Sequence, residues 1–222
     1  RLYSEVITTP ESYVLDTNTN KITHTYAKTT KYKTNEKLGG YAVYGFIKYK
    51  MSILTAKFYA TYGQNLFDLT MLGGYAISGT SDPIKDFKEY TSLQTMATWG
   101  EIQTNGKKVQ MGLFAGYTQN KGANKNILSY TMPSAIPIAT NPYPSSTQAI
   151  NRGADIKSVY RISPRVIFIS EKFQFMTELE YTSAAYATKD INGKLNRNEK
   201  GVITDTYNVA NMRLLFAVLY SF

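Results

Sequence analysis

The sequence predicts an all-β fold: an antiparallel up-and-down sheet closed as a transmembrane β-barrel. Three observations predict it. Apolar residues recur with period two over stretches of about fifteen residues, where ordinary strands run to about five or six. Tight turns alternate in order with long polar loops. The aromatic complement, 19 Tyr and 10 Phe against 1 Trp, favours strands over helices.

Composition narrows the function classes. Apolar residues make up 43% of the 222 residues, enough for a core and too many for a disordered chain. No run approaches the apolar length that a transmembrane helix needs, and mean hydropathy is negative. A barrel strand needs only one apolar face, so its hydropathy signal is weak. Cysteine is absent, which removes disulfides, thiol nucleophiles and Cys-rich metal sites. The net charge of +9 fits ordinary solubility, nucleic acid, anionic headgroups or an anionic solute, and does not choose among them.

The strands follow in chain order. In 40–50, Tyr41, Val43, Ile47 and Tyr49 oppose Tyr44, Phe46, Lys48 and Lys50. In 53–62, Leu54, Ala56, Phe58, Ala60 and Tyr62 oppose Lys57, Tyr59 and Thr61. In 91–104 the segregation is weaker, with Leu93, Thr95, Ala97 and Trp99 set against Ser92, Gln94, Met96 and Thr98. In 108–118, Val109, Met111, Leu113, Ala115 and Tyr117 oppose Gln110, Gly112, Phe114 and Gly116. In 154–170, Ile156, Tyr160, Ile162, Val166 and Phe168 oppose Asp155, Lys157, Arg161 and Arg165. Pro164 lacks an N–H, so it is expected near a strand end or bulge. In 172–187, Phe173, Phe175, Leu179 and Tyr181 oppose Gln174, Glu178 and Glu180. The last stretch, NMRLLFAVLYSF, places Met212, Leu214, Phe216, Val218, Tyr220 and Phe222 opposite Arg213 and Leu215.

The connections carry the architecture. Met51-Ser52, Asn105-Gly106 and Ser170-Glu171-Lys172 read as tight turns, and Asn-Gly is the strongest short hairpin signal. Long polar loops are expected at about 63–90, 119–153 and 189–204, the second crowded with Pro133, Pro137, Pro142 and Pro144. Short and long connections therefore fall on opposite ends of a meander. LGGYA occurs at 38–42 and 72–76; the second copy is expected in an inserted or folded-in loop segment. Tyr49, Phe173, Phe175, Tyr220 and Phe222 fall near the short-turn side, and Tyr41, Tyr62, Tyr117 and Tyr181 toward the long-loop side. Two such girdles match the preference of Tyr for headgroup depth.

On these residues the chain resembles the C-terminal part of a Gram-negative outer-membrane β-barrel. Its alternating apolar end, closing on Phe216, Val218, Tyr220 and Phe222, resembles the terminal signal that the barrel-assembly machinery reads in that family. SPRVIFISEKFQFMTELEYTSAAY also resembles the late hairpin of Bacteroidota-type porins, related to trimeric dicarboxylate-type porins. The resemblance implies a single barrel domain over 1–222, or the C-terminal part of one in the outer membrane. Its partners would be lipid, lipopolysaccharide and small solutes, and its assembly a homotrimer. Such porins have about sixteen strands. Seven clear strands, an eighth candidate near the N-terminus and the opening RLYSEVITTP predict a fragment, with a complete small barrel as the alternative.

The site expected is the inward face: Lys48, Lys57, Lys157, Arg161, Arg165 and Arg213 against Asp155, Glu178 and Glu180. Fixed charges along a water-filled pore set ion selectivity, because the low-dielectric wall focuses their field. The competing expectation is that Arg and Glu neutralise each other across the hairpin. Catalysis finds little support. His24, the one histidine, lies in a Lys/Thr-rich run and is expected on the surface. No Zn-type ligand set and no phosphate-binding glycine motif occurs, so no metal or cofactor is expected. Lys28, Lys31, Lys33 and Lys37 among Tyr26 and Tyr32 could bind phosphate, but lipopolysaccharide or solvent is the expected neighbour, not nucleic acid. The function expected is passive diffusion of small hydrophilic solutes, anions preferred. A structural or adhesion barrel is the alternative, followed by an enzyme using His24 and a soluble all-β domain. Replacing Phe222 with a polar residue should impair membrane assembly more than conductance; a heat-modifiability assay of the inserted fraction checks this.

Overall fold

The computed structural model describes residues 3–9, 12–16, 21–26, 28–33, 37–85, 87–128, 151–153 and 155–221. Phe222 and most of the proline-crowded 119–153 loop lie outside the described residues. The fold is all-β and antiparallel. Four short strands come first: β1 (Tyr3–Thr9), β2 (Ser12–Asp16), β3 (Lys21–Thr25) and β4 (Lys28–Lys33). β1 pairs with β4 and β2 with β3, each as a separate two-stranded sheet.

The main sheet begins with β5 (Ala42–Lys50) and β6 (Leu54–Gln64). A single helical turn, α1 (Phe67–Thr70), leads to β7 (Gly73–Asp82) and the long β8 (Phe87–Thr104). β9 (Val109–Ala123), the two-residue β10 (Asn151–Arg152), β11 (Ile156–Ser170), β12 (Phe173–Ala187) and β13 (Thr206–Tyr220) complete it. Across the sheet the order is β5, β6, β8, β9, β11, β12, β13. β8 is long enough to serve two neighbours on one edge: its first half pairs with β7 and its second with β6. The expected 63–90 loop is thus largely structured. It returns as a strand, β7, held by its antiparallel ladder to the first half of β8.

The tight turns all fall at one end. Gly106 is obligatory there, since a Cβ would lie 1.9 Å from the Val109 carbonyl oxygen. Glu171 takes a left-handed φ of 50°. The first two turns are tied together. Asn105 donates from Nδ2 to the Met51 carbonyl at 2.7 Å, and its Oδ1 accepts from the Thr55 hydroxyl at 2.8 Å.

Pleating then sorts the side chains. One face carries Val43, Ile47, Tyr49, Phe58, Ile102, Met111, Leu113, Ile162, Phe168, Phe175, Leu179, Leu214, Phe216 and Val218, all exposed. The other carries the charged and hydrogen-bonding groups. Register corrects the sequence reading of β8: Ala97 pairs with Thr61 and Trp99 with Tyr59, which puts both on the charged face. Met96, Thr98 and Ile102 take the apolar one. Pro164 is also corrected. It sits mid-strand, fully in register with Leu113 of β9, while the ladder to β12 skips from Ile162–Tyr181 to Arg165–Glu178. The missing N–H is accommodated as a two-residue gap in one ladder, without a bulge.

Closure is the main correction. Among the described residues β5 pairs only with β6 and β13 only with β12, so the sheet is open. The topology explains this. With β7 set aside, the sheet has an odd number of long strands, so β5 and β13 run in the same direction. An all-antiparallel seam between them is impossible.

The buried core lies at the long-loop end: Ala76, Leu93 and Ala123, with Ile127 packed against them. The 188–205 segment reaches across to it. The Lys200 and Glu199 carbonyls accept from the Ala123 and Ile127 amides at 2.8 and 2.7 Å, and the Ile77 carbonyl accepts from the Leu128 amide at 2.9 Å. Gly122 makes the contact possible, at φ +77° with the Val202 side chain 2.5 Å from where a Cβ would stand. Gly122→Val should therefore cost about 2 kcal/mol locally. Limited proteolysis should show faster cutting within 188–205 while strand content by circular dichroism is kept.

Candidate functional site

The charged face is laid out by register in three adjacent rows across the strands. The first row runs Lys48, Lys57, Glu101, Phe114, Ser163, and on the far side Glu180 and Arg213. One step toward the loop end lie Phe46, Tyr59, Trp99, Gly116, Arg161, Thr182 and Asn211. One step toward the tight turns lie Lys50, Thr55, Gln103, Gly112, Arg165, Glu178 and Leu215. Tyr44 stands one row above Phe46 on the same face.

Two carboxylates organise this face, each shared by two cations. Glu101 Oε1 lies 2.7 Å from Lys57 Nζ and 3.0 Å from an Arg165 terminal nitrogen. The same Arg165 nitrogen donates to Gln103 Oε1, and Gln103 Nε2 donates to Gln110 at 2.6 Å. Arg165 is on β11 and Glu101 on β8, so the guanidinium must cross β9. It crosses at Gly112, where a Cβ would lie 2.9 Å from Arg165 Nε. The second carboxylate, Glu180, lies 3.0 Å from Arg161 and 3.5 Å from Arg213. Arg161 Nε also donates to the Thr182 hydroxyl at 3.1 Å. Glu180 is 6% exposed and Ser163 1%. Glu180 Oε1 and Ser163 Oγ are buried without a hydrogen-bond partner among the described residues, the carboxylate oxygen being the one in ion-pair reach of Arg213.

The expected site residues Lys48, Lys57, Arg161, Arg165, Glu178, Glu180 and Arg213 therefore share one face. Lys157 falls in the irregularity where the β11–β12 register shifts, and Asp155 precedes the strand, its carbonyl accepting from the Ala187 amide. Of the expected Arg–Glu neutralisation across the β11–β12 hairpin, the structure has Arg161–Glu180, whereas Arg165 turns the other way, to Glu101. Glu101 and Gln103 were missed by sequence reasoning. Counting back by twos from the Asn105-Gly106 turn would have found them, since that parity puts Gln103, Glu101 and Trp99 together. Lys48 forms no ion pair among the described residues. His24 is far from this chemistry in sequence, on the β2–β3 pair, stacked 4.3 Å from Tyr13.

The loop end of the charged face is covered. Thr118 donates from its hydroxyl to the Thr70 carbonyl and Thr95 to the Leu72 carbonyl, both at 3.2 Å. The α1 turn thus folds onto this face, while the second LGGYA copy opens strand β7 of the sheet. The apolar face carries the aromatic bands. Phe173 lies 4.9 Å from Tyr220 near the tight turns, and Tyr160 lies 6.0 Å from Tyr181 toward the loops. From Phe173 to Tyr181 the strand rises about 27 Å.

No family model, curated protein or solved structure matches the chain.

Gly112→Val should push Arg165 off Glu101 and Gln103 and destabilise the sheet by about 1–3 kcal/mol. In a double-mutant cycle with Arg165→Met, urea unfolding should show strong non-additivity, because both changes remove the same bridge.

Proposed function

We propose that this chain forms wall of an outer-membrane β-barrel channel that passes small hydrophilic solutes by diffusion, anions preferred, with no chemical step. The observation that carries the proposal is the division of the sheet. Its apolar side is exposed from β5 to β13 and its charges are gathered on the other side. A soluble domain buries such a face; an exposed apolar surface of this extent needs lipid or a partner. At a barrel tilt of about 40° the two aromatic bands would bracket about 20 Å of depth, close to the roughly 25 Å apolar band of such barrels. The charged face then meets water. Because Glu101 and Glu180 each serve two cations, and Lys48 and Lys50 lie alongside, the local field there is positive and favours anions.

The alternative is a structural or adhesion barrel. On its side stands the ordered loop end, where 188–205 is hydrogen-bonded to β9 and α1 covers Thr95 and Thr118.

Three measurements test the proposal. The protein should leave membranes only with detergent; recovery in plain buffer would sink it. It should give stepwise conductance in planar bilayers, and the absence of steps would favour the structural barrel. Arg161→Glu and Arg165→Glu should lower anion preference, while Glu101→Gln and Glu180→Gln should raise it. Unchanged reversal potentials would remove these residues from any filter.

A further inference from the structure

The charged face holds a feature that ion selectivity does not use. Tyr44, Phe46, Tyr59, Trp99 and Phe114 come from four adjacent strands, β5, β6, β8 and β9, and meet on the hydrophilic side of the sheet. Tyr44 and Tyr59 have ring centroids 6.5 Å apart with planes 26° from parallel. Tyr59 and Trp99 follow at 5.8 Å and 21°, and Trp99 and Phe114 at 5.8 Å and 33°. Phe46 flanks Trp99 at 6.1 Å. The rings are only partly covered: Tyr44 is 72% and Phe46 53% exposed, and Tyr59, Trp99 and Phe114 are half-buried. Gly116 supplies the space, since a Cβ there would lie 3.0 Å from the Phe114 ring and 3.6 Å from Trp99. A lipid-facing girdle cannot explain them, because they are on the face opposite Tyr49, Phe58 and Phe175.

We infer that this aromatic row is a binding platform for saccharides. The C–H bonds of a pyranose face carry partial positive charge and rest against the negative face of an aromatic ring. Its hydroxyls need donors and acceptors together, at the edge of the platform. The neighbouring rows supply both: Lys48 and Lys57 as donors, Glu101 as acceptor, Gln103 as either. An aromatic anion would be served by the rings and cations alone and has no use for the carboxylate and amide. The inference rests on the proposal that this face meets water, and it adds a solute class to it.

Trp99 is the only tryptophan, so its emission reports on the platform directly in detergent-solubilised protein, with no pore required. The probes are a neutral glucose oligomer and a uronate oligomer, with sorbitol and benzoate as controls. Saturable change of Trp99 emission by either oligomer, and by neither control, is expected. Tyr59→Ala should weaken that binding by about tenfold, the worth of one lost ring contact, and Tyr59→Phe should retain it at unchanged sheet content. No saturable response to either oligomer, a response to benzoate alone, or equal binding in Tyr59→Ala would overturn the inference. Stepwise conductance without a fluorescence response would leave the channel standing and remove the platform. Fluorescence binding without conductance would do the reverse.

Discussion

Everything in this structure depends on register. Because side chains alternate with period two, a slip of one residue in any ladder would exchange the two faces. Lys57 would then face outward and Phe58 inward, and Arg161, Arg165 and Glu180 would lose one another. Register here is held from the tight-turn end. Asn105 clasps the neighbouring turn through Met51 and Thr55, and Gly106 admits a hairpin that no side chain would fit. The ladders from β6 to β13 then carry that choice across the sheet without a shift in the region of the charged rows.

The ion pairs are consequences of that choice and in turn reinforce it. Arg165 reaches over β9 only because Gly112 offers no side chain, so one glycine links three strands through a guanidinium. Glu180 performs the matching service between β11 and β13. These bridges join strands that backbone hydrogen bonds do not connect directly. The loop end works by different means. There the contacts are small apolar groups and carbonyls, and Gly122 and Gly201 take left-handed conformations to bring 188–205 against β9.

Much of this was legible in the sequence. Strand alternation, the three tight turns and the common face of Lys48, Lys57, Arg161, Arg165, Glu178, Glu180 and Arg213 follow from counting by twos. The errors have physical causes. Trp99 was placed on the apolar side because large rings usually belong there, yet β8 is polar enough that its two sides differ little. β7 was read as loop because its alternation is short and glycine-rich. Pro164 was pushed toward a strand end by a rule that assumes both ladders need its N–H, whereas only the β12 side goes without. The Arg165–Glu101 bridge could not be read from either strand alone, since it depends on a third strand's missing Cβ. Closure failed because pattern within strands carries no information on how many there are.

The shared direction of β5 and β13 has a consequence for assembly. Each is an edge with no second strand beside it among the described residues, and such an edge is a template for another strand. Two copies standing the same way up could join β13 to β5 only in parallel, the weaker and slower form of pairing. A copy turned upside down could add β13 to β13 in antiparallel register at once. In free solution nothing forbids that inverted partner, and it is the natural first step of misassembly. In a bilayer it would require one copy to carry its long loops through to the opposite side. Vectorial insertion would therefore act as a chaperone, removing the most favourable wrong partner by holding every copy to one orientation.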